Sequence, residues 1–380
     1  MARRVSDEKG PGVRKVLVCG AAFAATCISA VAVSGAAGAA PPVPSPGSSS
    51  PASPGQGEGP GTQAPSGSPG SSGPSSTAQA GNGQSSAPDP VVSTRAVMVT
   101  PKLPRTATYA YGVHPRQRID VYWQDTTPEG RDDDAGAATR QARGTAPTPA
   151  VLLFHGGSWI GGDKSGWKYF ARRLTAQGYT VFAANYRLAT QAPWPAQRDD
   201  AMAALTYVKR HAVKWNIDPD RVAVMGSSAG GLLASQLATY GEGGTRVRGA
   251  VSLSPVNIPY LAYQAGEKPD ATKSQRSLRR AVVKLLGCVP VETDPDCMAQ
   301  AEDTNTISHV SPGDAPMLLL HYKDEFVPPA QSTGLAAALR GVGLDASVKV
   351  YPGRQHATAL LNEETAVPLI ISWLKQRTAP

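Results

Sequence analysis

Hydrophobic positions from residue 150 onward fall into two alternating patterns. A short continuous apolar run occurs at Ala150–Phe154, and further strand-like segments at Thr180–Asn185, Arg221–Met225, Val247–Leu253, Met317–His321 and Ser347–Tyr351. Runs of that length without polar interruption suit strands covered on both faces. Between them, Trp167–Gln177, Asp199–Trp215, Gly230–Tyr240, Gln331–Leu339 and Ala366–Lys375 repeat their apolar residues at helical spacing. Ahead of these, Thr106–Gly112 and Arg118–Trp123 alternate in the manner of half-buried strands. Strand and helix in alternation predict an α/β fold: a mostly parallel central sheet with helices on both faces.

The alternation stops between Pro255 and Pro316, and about sixty residues intervene before the next strand. Open α/β sheets hold ligands beyond the carboxyl ends of their strands. An excursion leaving from such an end, around 255–316, is therefore expected to form a cap. Within it, Lys268, Lys273, Arg276, Arg279, Arg280 and Lys284 interleave with Leu278, Val282, Leu285 and Leu286. That pattern predicts a basic amphipathic helix. It reads first as a solvated face over the core, with weak contact to an anionic envelope surface as the alternative.

Composition changes the picture at the N-terminus. The 380 residues include 39 glycines and 34 prolines, and only 17% are charged, against about 25% in an average globular chain. Much of that bias lies outside the alternating region. Arg3, Arg4, Lys9, Arg14 and Lys15 precede an uncharged run from Val16 to about Ala40, ending in Ala37-Gly38-Ala39. This is the layout of an export signal over residues 1–40, with an uncleaved membrane anchor as the alternative. Residues 41–95 are dominated by Pro, Ser, Gly, Gln and Ala, too poor in apolar side chains to offset the entropy of ordering, and read as a disordered linker. One folded domain over 96–380 remains, expected outside the cell.

The leader carries five basic and two acidic side chains and residues 41–90 two acidic ones, so +7 of the net charge of +8 falls beyond residue 90. It is spread along the chain and accompanies no nucleic-acid-binding motif. Two of the four cysteines lie in the leader. In an exported chain the remaining pair, Cys288 and Cys297, is expected to form a disulfide closing a small loop. Only His309 stands near them, so no metal site is expected. The Asp132-Asp133-Asp134 run reads as a solvated insertion.

The chemistry concentrates at strand ends. After Arg221–Met225 comes Gly226-Ser227-Ser228-Ala229-Gly230, a G-x-S-x-G pattern between a strand and a helix. Small residues on either side let Ser228 occupy a sharp turn and present its hydroxyl as a nucleophile. His155-Gly156-Gly157-Ser158-Trp159 follows an earlier strand. Its bare backbone lets the N–H groups of Gly157 and Ser158, with that of Ala229, form an oxyanion hole. His155 reads as orienting this loop. Asp324 after one late strand and His356 after the next supply the acid and the base, with Glu325 the nearest competitor to Asp324. His114, His211, His309 and His321 read as structural or surface residues.

Taken together, these segments resemble the α/β-hydrolase fold, specifically hormone-sensitive-lipase-like and feruloyl-esterase-like carboxylesterases. Asn185-Tyr186-Arg187-Leu188-Ala189, Asp218-Pro219-Asp220-Arg221 and Pro352–His356 share in the match. Ser158 in place of a third loop glycine favours the HGGxW subgroup, and His321-Tyr322 departs from the family's frequent His-Gly. The resemblance implies a secreted serine carboxylesterase acting through an acyl-enzyme on Ser228, without a cofactor, on small-molecule or polymer-attached esters. Two alternatives stay open: an amide- or peptide-cleaving member of the fold, and an inactive envelope-binding module.

Overall fold

The computed structural model describes residues 103–124 and 146–380. The expected leader, the linker and the Asp132–Asp134 run lie outside the described residues. Eight strands form one sheet: β1 (Arg105–Ala110), β2 (Arg118–Trp123), β3 (Thr148–Phe154), β4 (Thr180–Ala184), β5 (Ile217–Ser227), β6 (Ala250–Leu253), β7 (Met317–Tyr322) and β8 (Ala346–Tyr351). Their spatial order is β1-β2-β4-β3-β5-β6-β7-β8. β1 pairs with β2 and β2 with β4 antiparallel, and every later pairing is parallel.

The segments in β3 to β7 are covered on both faces, but Ser347–Tyr351 falls in edge strand β8, where Ser347, Lys349 and Val350 are exposed. Because side chains alternate across a sheet, each run feeds two cores. Val151, Leu153, Ala223 and Met225 pack with Trp167, Phe170 and Leu174 around α1 (Lys168–Thr175), and with Ile370, Trp373 and Leu374 of α9 (Ala366–Arg377). On the other face Leu152, Phe154, Phe182 and Val224 meet α2 (Ala196–Arg210), α3 (Ala212–Trp215) and α4 (Ala229–Thr239). The helix expected over Asp199–Trp215 starts earlier and breaks at His211, so α2 and α3 are separate.

The excursion after β6 folds into α5 (Pro259–Ala265), α6 (Lys273–Leu286) and α7 (Pro295–Thr304). α6 starts at a capping box between Thr272 and Gln275, which satisfies otherwise unpaired N-terminal amides. It buries Leu278, Val282, Leu285 and Leu286 and leaves Lys273, Arg276, Arg280 and Lys284 exposed, the solvated basic face. Cys288 and Cys297 are disulfide-bonded, Cα–Cα 6.0 Å, tying the end of α6 to α7. The excursion docks on α2 and the segment before it. Trp194 donates through its backbone N–H to the Leu285 carbonyl (2.7 Å) and through its indole to Asp303 (2.6 Å). Arg198, between the rings of Trp194 and Tyr240, donates to the other Asp303 oxygen (2.9 Å). Among the described residues no helix is long and apolar enough to cross a membrane.

After β7, α8 (Ala330–Gly341) returns the chain to β8. The elbow, the glycine loop and the turns after β7 and β8 thus all lie at carboxyl ends of parallel strands.

Candidate active site

Ser228 connects central strand β5 to α4 with φ 51° and ψ −117°, a conformation costly for any residue with a Cβ. Its N–H donates to the Leu253 carbonyl at 2.8 Å, pinning the turn to the neighbouring strand. The flanking glycines are steric requirements. A Cβ on Gly226 would lie 2.0 Å from the Gly230 carbonyl oxygen, and one on Gly230 2.3 Å from that of Phe154.

Ser228 Oγ lies 2.9 Å from His356 Nε2, and His356 Nδ1 lies 2.5 Å from an oxygen of Glu325. The carboxylate only accepts, so Nδ1 carries the proton and Nε2 is free to accept from the serine. Phe326 packs against the imidazole, ring centroids 4.3 Å apart, and the N–H of Ala357 donates to the Ser254 hydroxyl just beyond.

The residue on His356 is Glu325, which corrects the expectation of Asp324. Lys323 N–H donates to the Tyr351 carbonyl and Asp324 N–H to that of Gly353, so the turn after β7 rides on the end of β8. These bonds leave Lys323 and Asp324 exposed at the corner of the turn. Glu325 folds back beneath it, fully buried, with Oε1 accepting from the Tyr322 N–H (3.0 Å) and His321 Nδ1 (2.9 Å). Burial alone would push its carboxyl toward the neutral form. Hydrogen bonds from His321 and His356 outweigh that and hold it below the usual carboxylate range.

His155 sits behind the glycine loop. Burial lowers its pKa to about 4, so it is neutral near pH 7. Its Nδ1 donates to the Gly156 carbonyl (2.7 Å), Nε2 faces the Arg116 guanidinium (3.0 Å), and the ring stacks on Tyr186 at 4.4 Å. Tyr186 in turn donates to the His155 carbonyl (2.9 Å), and Arg116 to that of Gly162 (2.9 Å). The loop they hold carries Gly157 at φ 115° and Ser158 at φ 50°. Among the described residues the N–H groups of Gly157, Ser158 and Ala229 take no backbone acceptor. Gly157 and Ser158 line the cleft beside Ser228, and Ala229 opens α4 directly after it.

Arg116 and Tyr186 were not assigned roles by sequence reasoning. Arg116 reaches the loop from between β1 and β2, far away in sequence, and no local pattern marks it. Asp163, on the cleft wall, was also missed. Burial opposes its ionisation, but hydrogen bonds from Asn185 and Ser165 bring its pKa down to about 2.

The cleft above Ser228 has a volume of about 480 Å³, walled by the glycine loop, Gly166, Trp167, Phe326 and Thr358. No residue of the excursion lines it. The expected cap is present as an element but stands against α2 and α4. Past Gly166 and Thr358 the cleft adjoins a groove of about 300 Å³ with Tyr169, Arg173, Leu361 and Asn362. Among the described residues no three potential metal ligands cluster.

The BD-FAE family model matches residues 139–339, just over half of the chain. The chain belongs to this family of α/β-hydrolase-fold esterases. Over 242 residues it is 30% identical to a probable carboxylic ester hydrolase, LipM, of Mycobacterium tuberculosis, covering 60% of this chain and 53% of that protein. The chain spans about half the length of the curated relatives it matches. Two solved structures share the fold. Esterase B from Lactobacillus rhamnosis has a TM-score of 0.57 at 21% identity, covering 74% of this chain and 87% of that one. An acetyl ester-xyloside bifunctional hydrolase from Caldicellulosiruptor lactoaceticus has a TM-score of 0.55 at 21% identity, covering 72% and 97%.

Proposed function

We propose that the protein is an exported serine carboxylesterase that forms an acyl-enzyme on Ser228. The observation carrying this reading is the Ser228–His356–Glu325 line above the N-terminus of α4, beside unpaired N–H groups. His356 Nε2 takes the Ser228 proton as Oγ attacks the ester carbonyl carbon. Negative charge then develops on the carbonyl oxygen and is met by the N–H groups of Gly157, Ser158 and Ala229. The carbon–oxygen bond breaks, and His356 gives its proton to the departing alcohol. Water repeats the sequence on the acyl-enzyme, releasing the acid and restoring Ser228. Glu325 keeps Nδ1 protonated throughout and stabilises the imidazolium.

The walls favour small acyl groups or flat rings over long chains. Glycine, serine and threonine surround the serine, Trp167 and Phe326 are the large apolar side chains at the cleft, and no row of aliphatic residues extends from it. The adjoining groove, with Tyr169 79% exposed beside Arg173 and Asn362, suits the ring and hydroxyls of a larger alcohol. An ester attached to a carbohydrate fits both halves, and the acetyl ester-xyloside hydrolase among the fold neighbours agrees with that direction. The basic leader, the linker and a disulfide in the folded part support export.

Labelling by a fluorophosphonate at one equivalent per chain, abolished in Ser228→Ala, is expected. Folded wild-type protein that neither labels nor hydrolyses p-nitrophenyl acetate would exclude a serine esterase.

A further inference from the structure

His321, in β7, is a buried polar group that this mechanism leaves unused. We propose that His321 is a positioning residue for Glu325, and that through Ser332 and Asn257 it ties the triad acid to the root of the excursion. The inference rests on the esterase reading of Ser228, His356 and Glu325 and adds a residue to it.

His321 and the Glu325 side chain are both fully buried. Glu325 offers one oxygen to each histidine: Oε2 to His356 Nδ1 and Oε1 to His321 Nδ1 (2.9 Å), where the Tyr322 N–H (3.0 Å) converges too. A carboxylate only accepts, so the proton of His321 sits on Nδ1, and Nε2 must receive one. The Ser332 hydroxyl of α8 stands 2.7 Å from it. Ser332 Oγ accepts from Asn257 Nδ2 (3.4 Å), and Asn257 Oδ1 from the Thr306 hydroxyl (3.5 Å). Hydrogen bonds therefore run one way, from Thr306 through Asn257, Ser332 and His321 to Glu325.

Both ends of the excursion join this chain. Asn257 begins it, Thr306 lies just past α7, and the Thr306 N–H donates to the Asn257 carbonyl (2.9 Å). Next door, Ile258 and Gln331 of α8 exchange a reciprocal pair of hydrogen bonds, 2.7 and 3.1 Å. A histidine merely filling the core would have no reason to address the triad acid with one nitrogen and a serine with the other. With three N–H groups fixing its two oxygens, the carboxylate cannot rotate away from His356.

The titratable groups around the pair are few. From β7, Tyr322 turns its hydroxyl to Glu363 (2.7 Å), and from beyond β8 comes His356. α8 presents Gln331 and Ser332, the excursion presents Asn257 and Thr306, and Lys323 and Asp324 of the turn are exposed. Among the described residues the ionisable side chains hydrogen-bonded to Glu325 are His321 and His356. Without the His321 donor, Oε1 keeps only the Tyr322 N–H, and the carboxylate becomes more basic. An additional proton, which would block His356 Nε2, is then taken up by the Glu325–His356 pair at higher pH.

The test measures kcat and KM for p-nitrophenyl acetate across pH in His321→Leu, His321→Asn and Ser332→Ala, with active sites counted by fluorophosphonate. In His321→Leu, kcat should fall roughly 10- to 100-fold, the loss expected of a catalytic group displaced by up to an ångström. KM should hold, and the acidic limb of kcat/KM should move up by about half a pH unit or more. His321→Asn keeps an N–H near the Nδ1 position and should restore most of kcat and return the limb. Ser332→Ala, which needs no large core change, should move the limb the same way by less.

An unmoved limb in a labelling-competent His321→Leu protein overturns the proposal, as does His321→Asn failing to improve on His321→Leu. If His321→Leu does not fold, an unmoved limb in Ser332→Ala overturns it. A wild-type protein that does not label removes the esterase reading, and the positioning role with it.

Discussion

Replacing Glu325 by Gln leaves the number of non-hydrogen atoms unchanged, and the structure dictates how the amide must sit. The Oε1 position faces two N–H groups, those of His321 and Tyr322, and only an oxygen can occupy it. The amide nitrogen is thereby driven to the Oε2 position, 2.5 Å from His356 Nδ1. Two donors cannot face each other, so His356 gives up its Nδ1 proton and carries it on Nε2 instead. That nitrogen then presents a hydrogen to Ser228 Oγ and cannot take one from it. A wrong tautomer in an otherwise intact triad lowers kcat about 10⁴-fold, or about 5 kcal/mol at 1.36 kcal/mol per decade. Asp324→Asn alters only an exposed side chain and leaves the backbone bond to Gly353 in place, so its effect should stay within about twofold. Glu325→Asp, shorter by one methylene, should fall between them at about 10²-fold, the scale of an ångström's misplacement. The assay is kcat on p-nitrophenyl acetate at pH 8, with protein concentration from absorbance and folding checked by thermal melts. A 50-fold or greater loss in Asp324→Asn, or Glu325→Gln within tenfold of wild type, refutes the assignment of the acid.

Tyr169→Ala should raise KM roughly five- to tenfold for an acetylated oligosaccharide and leave p-nitrophenyl acetate unchanged, since the groove meets only the larger alcohol; equal effects on both substrates, compared by steady-state kinetics, would remove the groove from the site. The protein from residue 92 onward should titrate no free thiol when denatured without reductant. Cys288→Ala with Cys297→Ala should cost roughly 2.5 kcal/mol in urea unfolding, from the loop-closure entropy of a separation of 9 residues. For Asp303, burial works against ionisation but Arg198 and Trp194 hold its pKa below the usual 3.8. Its stabilisation is therefore complete above that value and lost as pH falls through the lower folded-state pKa. Asp303→Asn should weaken the fold at pH 7 and show a smaller drop between pH 4 and 2, read from unfolding midpoints. Gly230→Ala, with its Cβ driven against the Phe154 carbonyl, should abolish a stable elbow, measured as loss of soluble folded protein.

Which parts of this site a sequence can announce depends on how each residue is held. Ser228 is held by its immediate neighbours: a buried strand before it, a helix after it, and glycines wherever a Cβ would strike backbone. That pattern is written in one continuous stretch, from strand through elbow to helix. The loop at Gly157 and Ser158 is legible for the same reason, and the sheet because its doubly buried strands carry unbroken apolar runs. Arg116, Tyr186 and His321 are held by partners 39, 31 and 4 to 11 positions away, and nothing beside them in the sequence marks those contacts.

The acid lies between these cases. Two adjacent carboxylates follow β7, and chemistry alone allows either to serve. What selects Glu325 is the phase of a turn, and that phase is set from outside by carbonyls of Tyr351 and Gly353 in the next strand. Sequence patterns report the side-chain phase of an element while its own period continues, and at the end of a strand the period is gone. The excursion illustrates the same limit at larger scale. Its length and its basic helix were foreshadowed, yet where it packs is decided by Trp194 and Arg198 reaching Asp303, three residues with no common pattern. A segment that leaves from a strand end above Ser228 need not roof it. Here its connection to the triad is at the root, through Asn257 and Thr306, so its influence on catalysis should run through the orientation of Glu325 and not through the walls of the cleft.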